Sequence, residues 1–346
     1  MLPRPDVFEV RDDVPCPEPA AGQVLLKVRS STICATDQKI LAGQFPGTTF
    51  PHILGHEFSG EVVAAGSDVD EVVPGDRVGV EIHVGCGRCA RCLEGLYQLC
   101  ENYGRTDKGH AHVGFTVPGG LAEFVTVPLK AAHKLPDNLS WDEGAFTDNI
   151  GIALYAVERG HLQPGESVAV LGPGAFGALA VQVARAMGAG RVVLVGTRQE
   201  RLERMQHLDA DALIAAHGEH AIEQVKAAFK GRGADLVIEF AGTPEAAREA
   251  IQMARRGGRV VLAGATGPGR ELCGVDLSTI VRGHLDIYGS LANPRGISGR
   301  GLELIARGAV DVRPLITHHF ALAEFDEAWT TFVERRGGAI RVMVHP

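Results

Sequence analysis

The chain lacks the marks of a secreted, membrane-borne or nucleic-acid-binding protein. Its N-terminus, MLPRPDVFEV, has neither a basic leading segment nor an apolar run behind it, so no signal peptide is expected. Apolar stretches are broken by Gly, Arg or Asp well short of the length that crosses a bilayer. A net charge of −8 and a pI near 6.0 provide no positive excess for nucleic acid or an anionic membrane. Internal repeats and low-complexity segments are missing as well. A cytoplasmic, turn-rich globular protein is the expectation.

Glycine, by contrast, is abundant. The 346 residues include 44 glycines, which points to many tight turns and close backbone approaches. A hydrophobic share of 45% beside 22% charge is ordinary for a globular protein, and the length suits two domains. Of the seven cysteines four are clustered, which fits a reducing compartment with thiolates kept for metal.

The cluster reads C-G-R-C-A-R-C-L-E-G-L-Y-Q-L-C and places Cys86, Cys89, Cys92 and Cys100 at gaps of 2, 2 and 7 residues. Thiolates two residues apart on a tight turn converge on one tetrahedral cation. Four Cys leave no position for water, so a closed structural zinc site is expected. Disulfides would suit a secreted chain better. The iron–sulfur rival, the bacterial ferredoxin run, ends C-x3-C-P, whereas the last gap here is 7.

Before and after this cluster the chain reads as short strands. Residues 22–35 set Val24, Leu26 and Val28 against Leu25, Lys27 and Arg29, then run into Cys34-Ala-Thr36-Asp37. Segments 58–63, 76–82 and 121–127 are also strand-like, with Gly and Pro punctuation, and suggest a small β-rich domain. Cys34, His56 and Glu57 are candidate metal groups, because Cys and His suit zinc. Each also has a plain reading, Cys34 as a buried apolar thiol and His56 as a hydrogen-bonded core histidine. Asp37 is a sensible acceptor for the free ring nitrogen of His56. Spacing alone does not find a third ligand.

From residue 167 the texture changes. S-V-A-V-L-G reads as a buried strand, followed by Gly172-Pro-Gly174-Ala-Phe-Gly177 and a helical run with Leu179, Val183 and Met187 on one face. Placed between strand and helix, this G-x-G-x-x-G is a credible dinucleotide loop. Gly172 permits the turn, Gly174 the approach of a pyrophosphate, and Gly177 close packing of helix on strand. The phosphates would sit at the helix N-terminus. Further strand-like segments at 191–196, 210–215, 234–242, 258–264 and 285–290, mostly separated by helical patterns, imply a parallel, doubly wound sheet.

Cofactor choice is set at the end of the second of these strands. An NAD site usually carries an acidic residue there for the ribose 2′-OH. This chain has Gly196-Thr197-Arg198, which removes the carboxylate and offers Arg198 and the Thr197 hydroxyl to a 2′-phosphate. NADP is therefore expected ahead of NAD.

C-x-T-D at 34–37, G-H-E at 55–57, the four-Cys cluster and the dinucleotide loop follow one another in an order that resembles the zinc-containing medium-chain alcohol dehydrogenases over nearly the whole chain. The resemblance implies an α/β fold in two parts. A GroES-like β-rich catalytic domain would span 1–150 and be completed by 291–346. A Rossmann domain with a doubly wound parallel sheet, 151–290, would be inserted between them. It implies two zinc ions per chain, one structural and one catalytic. Cys34, His56 and Asp148 would hold the catalytic ion, with Glu57 adjacent; the other reading of Asp148 is a helix N-cap. Thr36 resembles the hydroxyl that takes the substrate proton. Lys39 stands where many members have a His at the outer end of that relay. Arg341 matches a basic residue that meets the pyrophosphate. His133 matches nothing and is expected to be structural or superficial.

The implied chemistry is hydride transfer between a secondary alcohol and a nicotinamide. A polyol or sugar is the expected substrate. The alternative is L-threonine 3-dehydrogenase-like oxidation with NAD, because Glu81-Ile-His83 resembles a catalytic His of that branch. A rival of another class is a non-catalytic NADP- and zinc-binding protein. The resemblance further implies a homotetramer or homodimer packed through the Rossmann domain. In the tail, Phe325, Ala328, Trp329 and Phe332 fall on one face of a helix and are expected in the core.

Overall fold

The computed structural model describes residues 1–265, 267 and 269–346, and they form two compact units. The first comprises Met1–Gly151, Ala292–Ala306 and Val312–Pro346; the second comprises Ile152–Leu291 and Arg307–Asp311.

Strands of the first unit are β1 (Gln23–Thr32), β2 (Phe58–Ala65), β3 (Arg77–Val80), β4 (His83–Val84), β5 (Ala111–His112), β6 (Phe124–Pro128) and β7 (Ala132–Lys134), joined late in the chain by β14 (Ile316–Ala321) and β15 (Arg341–His345). Its main sheet runs β14-β15-β1-β2-β3-β7, with β6 also on β1, while β4 and β5 pair separately. All partners are antiparallel except β14 and β15. The alternation of β1 explains the core. Val24 faces Val127 and Leu26 faces Val125 across the β1–β6 pair, and all four are buried. Lys27 between them points to water.

Helices here are short: α1 (Ala35–Leu41), α2 (Ala90–Leu93), α3 (Trp141–Gly144), α4 (Thr147–Arg159), which runs on into the second unit, α10 (Ile297–Ala306) and α11 (Phe325–Glu334). Phe325 and Ala328 of α11 are buried, and Trp329 and Phe332 pack on the same core. The Phe8 ring meets Phe325 edge-on at 5.2 Å. This is the apolar face that the sequence periodicity marks.

In the second unit strand and helix alternate: β8 (Ser167–Leu171), α5 (Ala175–Ala186), β9 (Arg191–Gly196), α6 (Gln199–Glu203), β10 (Ala212–Ala215), α7 (Gly218–Ala228), β11 (Ala234–Glu239), α8 (Pro244–Met253), β12 (Ala254–Leu262), α9 (Leu277–Gly283) and β13 (Asp286–Gly289). The sheet order is β10-β9-β8-β11-β12-β13, with every pair parallel. Val168, Ala169 and Val170 are all fully buried, because a parallel strand is covered on both faces. The order reverses between β8 and β11, and the glycine loop leaves the carboxyl end of β8 at that switch point. Among the described residues no helix is long and apolar enough to cross a membrane.

Candidate functional site

The Sγ atoms of Cys86, Cys89, Cys92 and Cys100 all lie within 4.8 Å of one another. Cys86 and Cys92 are 3.9 Å apart and Cys89 and Cys100 4.0 Å. Four thiolates at Zn–S distances of about 2.3 Å on a tetrahedron have edges of roughly 3.8 Å. The separations match that edge and are far too long for disulfides. Asn102 Nδ2 donates to Cys86 Sγ at 3.2 Å, and the backbone N–H of Cys86 donates to Cys100 Sγ at 3.4 Å. Such donors favour thiolate over thiol.

A second constellation is built around the start of α1. Cys34, His56 and Glu57 present ligand atoms within 4.8 Å of one another, and all three side chains are buried. Asp37, in the first turn of α1 and fully buried, sets their geometry. Its Oδ2 accepts the Cys34 backbone N–H at 2.8 Å, and its Oδ1 lies 3.1 Å from His56 Nδ1. A ring proton on Nδ1, facing that oxygen, leaves Nε2 as a lone-pair donor on the side of Glu57, 4.0 Å from Oε1. Glu57 is held at both oxygens: Asn149 Nδ2 donates to Oε1 and Arg341 Nη1 to Oε2, each at 2.6 Å. Arg341, which the resemblance assigns to the pyrophosphate, is 4% exposed and forms this buried pair.

Asp148 lies on the first turn of α4, fully buried near His56, Glu57 and Glu81. It is outside the tight trio. Burial, then the Glu81 carboxylate, pushes its carboxyl up to about 7. Glu57 has Arg341, and Glu81 has His133 Nε2 at 2.9 Å. Among the described residues Asp148 has only the Ile82 N–H, at 3.4 Å. A buried carboxylate so poorly compensated is costly unless a cation adjoins it. Thiolate, imidazole and carboxylate together are a borderline-soft donor set that fits zinc.

Other predicted residues surround the trio. The Thr36 hydroxyl is 3.8 Å from Cys34 Sγ, and half-buried Lys39 follows one turn later on α1. His83 is buried with its ring stacked on His112 at 3.9 Å, and its Nδ1 has no partner among the described residues. Burial, then His110 and His56, pushes His83 down to about 3, so the imidazole is neutral. His112 in turn stacks on Phe115 at 3.7 Å and meets the Tyr103 hydroxyl at 2.7 Å.

In the second unit Gly172 adopts φ +104°, a backbone region that favours glycine. A Cβ at Gly177 would lie 2.0 Å from the Gly172 carbonyl oxygen, so helix and loop touch only because 177 is glycine. Gly174, immediately before α5, is different: a Cβ there would meet nothing within 4 Å. Packing therefore does not demand glycine at 174, whereas a phosphate approaching the helix N-terminus does. Thr197 and Arg198 are exposed beyond β9. A Cβ at Gly196 would meet Pro173 Cγ at 2.3 Å. A carboxylate-bearing side chain at 196 would thus clash with the Pro173 ring.

Residues 20–137 match the alcohol dehydrogenase GroES-like domain and residues 175–307 the zinc-binding dehydrogenase domain. The chain is 32% identical to a sorbitol dehydrogenase of Bacillus subtilis (strain 168) over 342 residues, covering 97% of this chain and 93% of that one. The chain belongs to the zinc-containing medium-chain alcohol dehydrogenase family. An L-threonine 3-dehydrogenase of Bacillus licheniformis is also 32% identical, over 344 residues, with 96% of this chain and 94% of that one covered. A solved structure from Sinorhizobium meliloti 1021, described as a zinc-binding dehydrogenase bound to NADP, superposes with a TM-score of 0.90 at 33% identity. It covers 100% of this chain and 98% of its own. As a member of the family, the protein is a zinc- and nicotinamide-dependent alcohol dehydrogenase acting on small molecules.

The supports of the site are not legible in the sequence. Arg341 lies 284 positions from Glu57 and Asn149 lies 92. His133, expected to be structural or superficial, braces Glu81. No local spacing signals such pairs.

Proposed function

We propose that the chain oxidises a secondary alcohol of the polyol or sugar class with NADP, using one zinc at Cys34, His56 and Asp148 and a second, structural zinc at the four cysteines. The observation that carries this is the buried trio of Cys34, His56 and Glu57, with Asp148 poorly compensated beside it. Zinc and nicotinamide, when bound, supply Lewis acidity and a hydride acceptor. The chain's own residues do the rest. Asp37 fixes the His56 tautomer and the Cys34 backbone together. The Thr36 hydroxyl, beside Cys34, takes the substrate's proton and passes it outward, with Lys39 one turn farther on. Glu57 is anchored next to the ligands by Arg341 and Asn149. Gly172, Gly174 and Gly177 form the phosphate cradle, and Gly196, Thr197 and Arg198 receive the 2′-phosphate. Exposed Leu277 and Val281 of α9, Ile287 on the edge strand β13, and Leu291 support assembly into a homodimer or homotetramer.

A second reading is threonine oxidation with NAD. It is favoured by His83, whose neutral imidazole keeps an unpartnered Nδ1 among the described residues. Reduced-nicotinamide formation, with NADP and then NAD, across sorbitol, xylitol, galactitol, L-threonine and 2-propanol separates the two. Polyol turnover with NADP is expected; threonine turnover with NAD would overturn the proposal and make His83 catalytic.

A further inference from the structure

We propose that Asp142, His319 and His345 form an additional divalent transition-metal site, on the first unit, that binds zinc or nickel from solution and ties the C-terminal strand to α3. It shares no residue with the four-cysteine cluster or the Cys34 constellation. The three side chains present ligand atoms within 4.8 Å of one another. His345 Nε2 is 2.8 Å from Asp142 Oδ1, and His319 Nδ1 is 3.5 Å from Oδ2. Both oxygens of one carboxylate therefore face an imidazole.

The site is anchored on its acidic side. Ser30, fully buried in β1, donates its hydroxyl to Asp142 Oδ1 at 2.6 Å. α3 itself is fixed by a capping exchange in which Ser140 Oγ accepts the Glu143 N–H and the Glu143 carboxylate accepts the Ser140 N–H. The two histidines come from neighbouring strands. Phe320 and Val344 turn into the core, so His319 and His345, one position along in opposite directions, lie on the other face of the β14–β15 pair. Their rings are 5.4 Å apart and nearly parallel, at 12°.

A simple hydrogen-bonded pair accounts for His345 but not for His319. That side chain is 53% exposed and its contact to Asp142 is too long for a strong hydrogen bond, yet it stays beside the same carboxylate. Two imidazoles and a carboxylate suit zinc, nickel or copper rather than magnesium or calcium, which take oxygen donors. The exposure of His319 and His345 gives an ion entry and leaves its remaining positions to water. Binding would join α3 to β14 and β15. The last of these strands starts at Arg341, the partner of Glu57.

The test is calorimetric titration of nickel into the holoenzyme carrying its own zinc, for wild type, His319→Asn and Asp142→Asn. Metal analysis before titration checks that resident zinc is equal in all three, and far-UV circular dichroism checks the fold. Wild type is expected to take up one more nickel per chain than either variant, and nickel is expected to raise the unfolding temperature of wild type alone. Equal uptake by wild type and His319→Asn, or no uptake by wild type below millimolar nickel, would overturn the proposal. His319 is exposed, so its variant remains informative even if Asp142→Asn folds poorly.

Discussion

Pro173 and Gly196 share one small space at the ends of neighbouring parallel strands. A Cβ at 196 would lie 2.3 Å from Pro173 Cγ and 2.6 Å from Cδ. The second position of the glycine loop thereby dictates which residue can end β9, where an NAD site would hold its acid.

Gly196→Asp alone should therefore fail to make an NAD enzyme. The clash should cost about 1–3 kcal/mol of stability in the second unit. Pro173→Ala combined with Gly196→Asp should recover most of that loss and shift the NADP/NAD ratio of kcat/KM towards NAD. Denaturant unfolding and initial rates with both cofactors check the pair.

The ion pair of Arg341 and Glu57 should be structurally costly to halve. Both side chains are buried, and Arg341→Met strands a carboxylate whose other partner is Asn149. A loss of about 3–5 kcal/mol is expected. Both tryptophans, Trp141 and Trp329, belong to the first unit, so indole fluorescence during urea unfolding reports it specifically.

Removing one cysteine of the cluster should remove one ion. Cys100→Ser is expected to lower zinc content by one per chain, and proteolysis should then begin within the 86–100 segment. Mass spectrometry of the metal content and of the first cleavage products measures both.

Asp235 gives a pH prediction for the second unit. Burial alone would raise its carboxyl, but hydrogen bonds from the Ser167 hydroxyl and N–H and from Arg255 hold it below the usual range. The folded chain thus binds fewer protons there than the unfolded one. The stabilisation is complete above the unfolded pKa of about 3.9 and is lost as pH falls through the lower folded value. Asp235→Asn should cost roughly 1–2 kcal/mol at neutral pH, since the site is partly open to water, and progressively less in acid. Hydrogen exchange in β8 and β11 at several pH values checks the sign.

What was legible in the sequence was local. Gaps of 2, 2 and 7 suffice to bring four sulfurs together, and alternation or apolar runs mark every strand of the parallel sheet and β1, β2, β3 and β6 of the other, but not β7 or β14. Asp37 could be placed behind His56 because a carboxylate is the usual partner of a ligating imidazole. Long-range pairs were not legible. Nothing near Glu57 in sequence points to Arg341, and nothing near Trp141-Asp142 points to His319 or His345. Gly196 was read through charge alone, because the Pro173 ring reaches it only once β8 and β9 lie side by side.

The most direct test of the account joins metal content to turnover in Cys34→Ser. One zinc per chain should remain, at the four cysteines, and NADPH formation from a polyol should cease while NADP still binds, as read by quenching or by a thermal shift. Retention of two zincs, or turnover at the wild-type rate, would contradict the assignment of Cys34 and its neighbours to the chemistry.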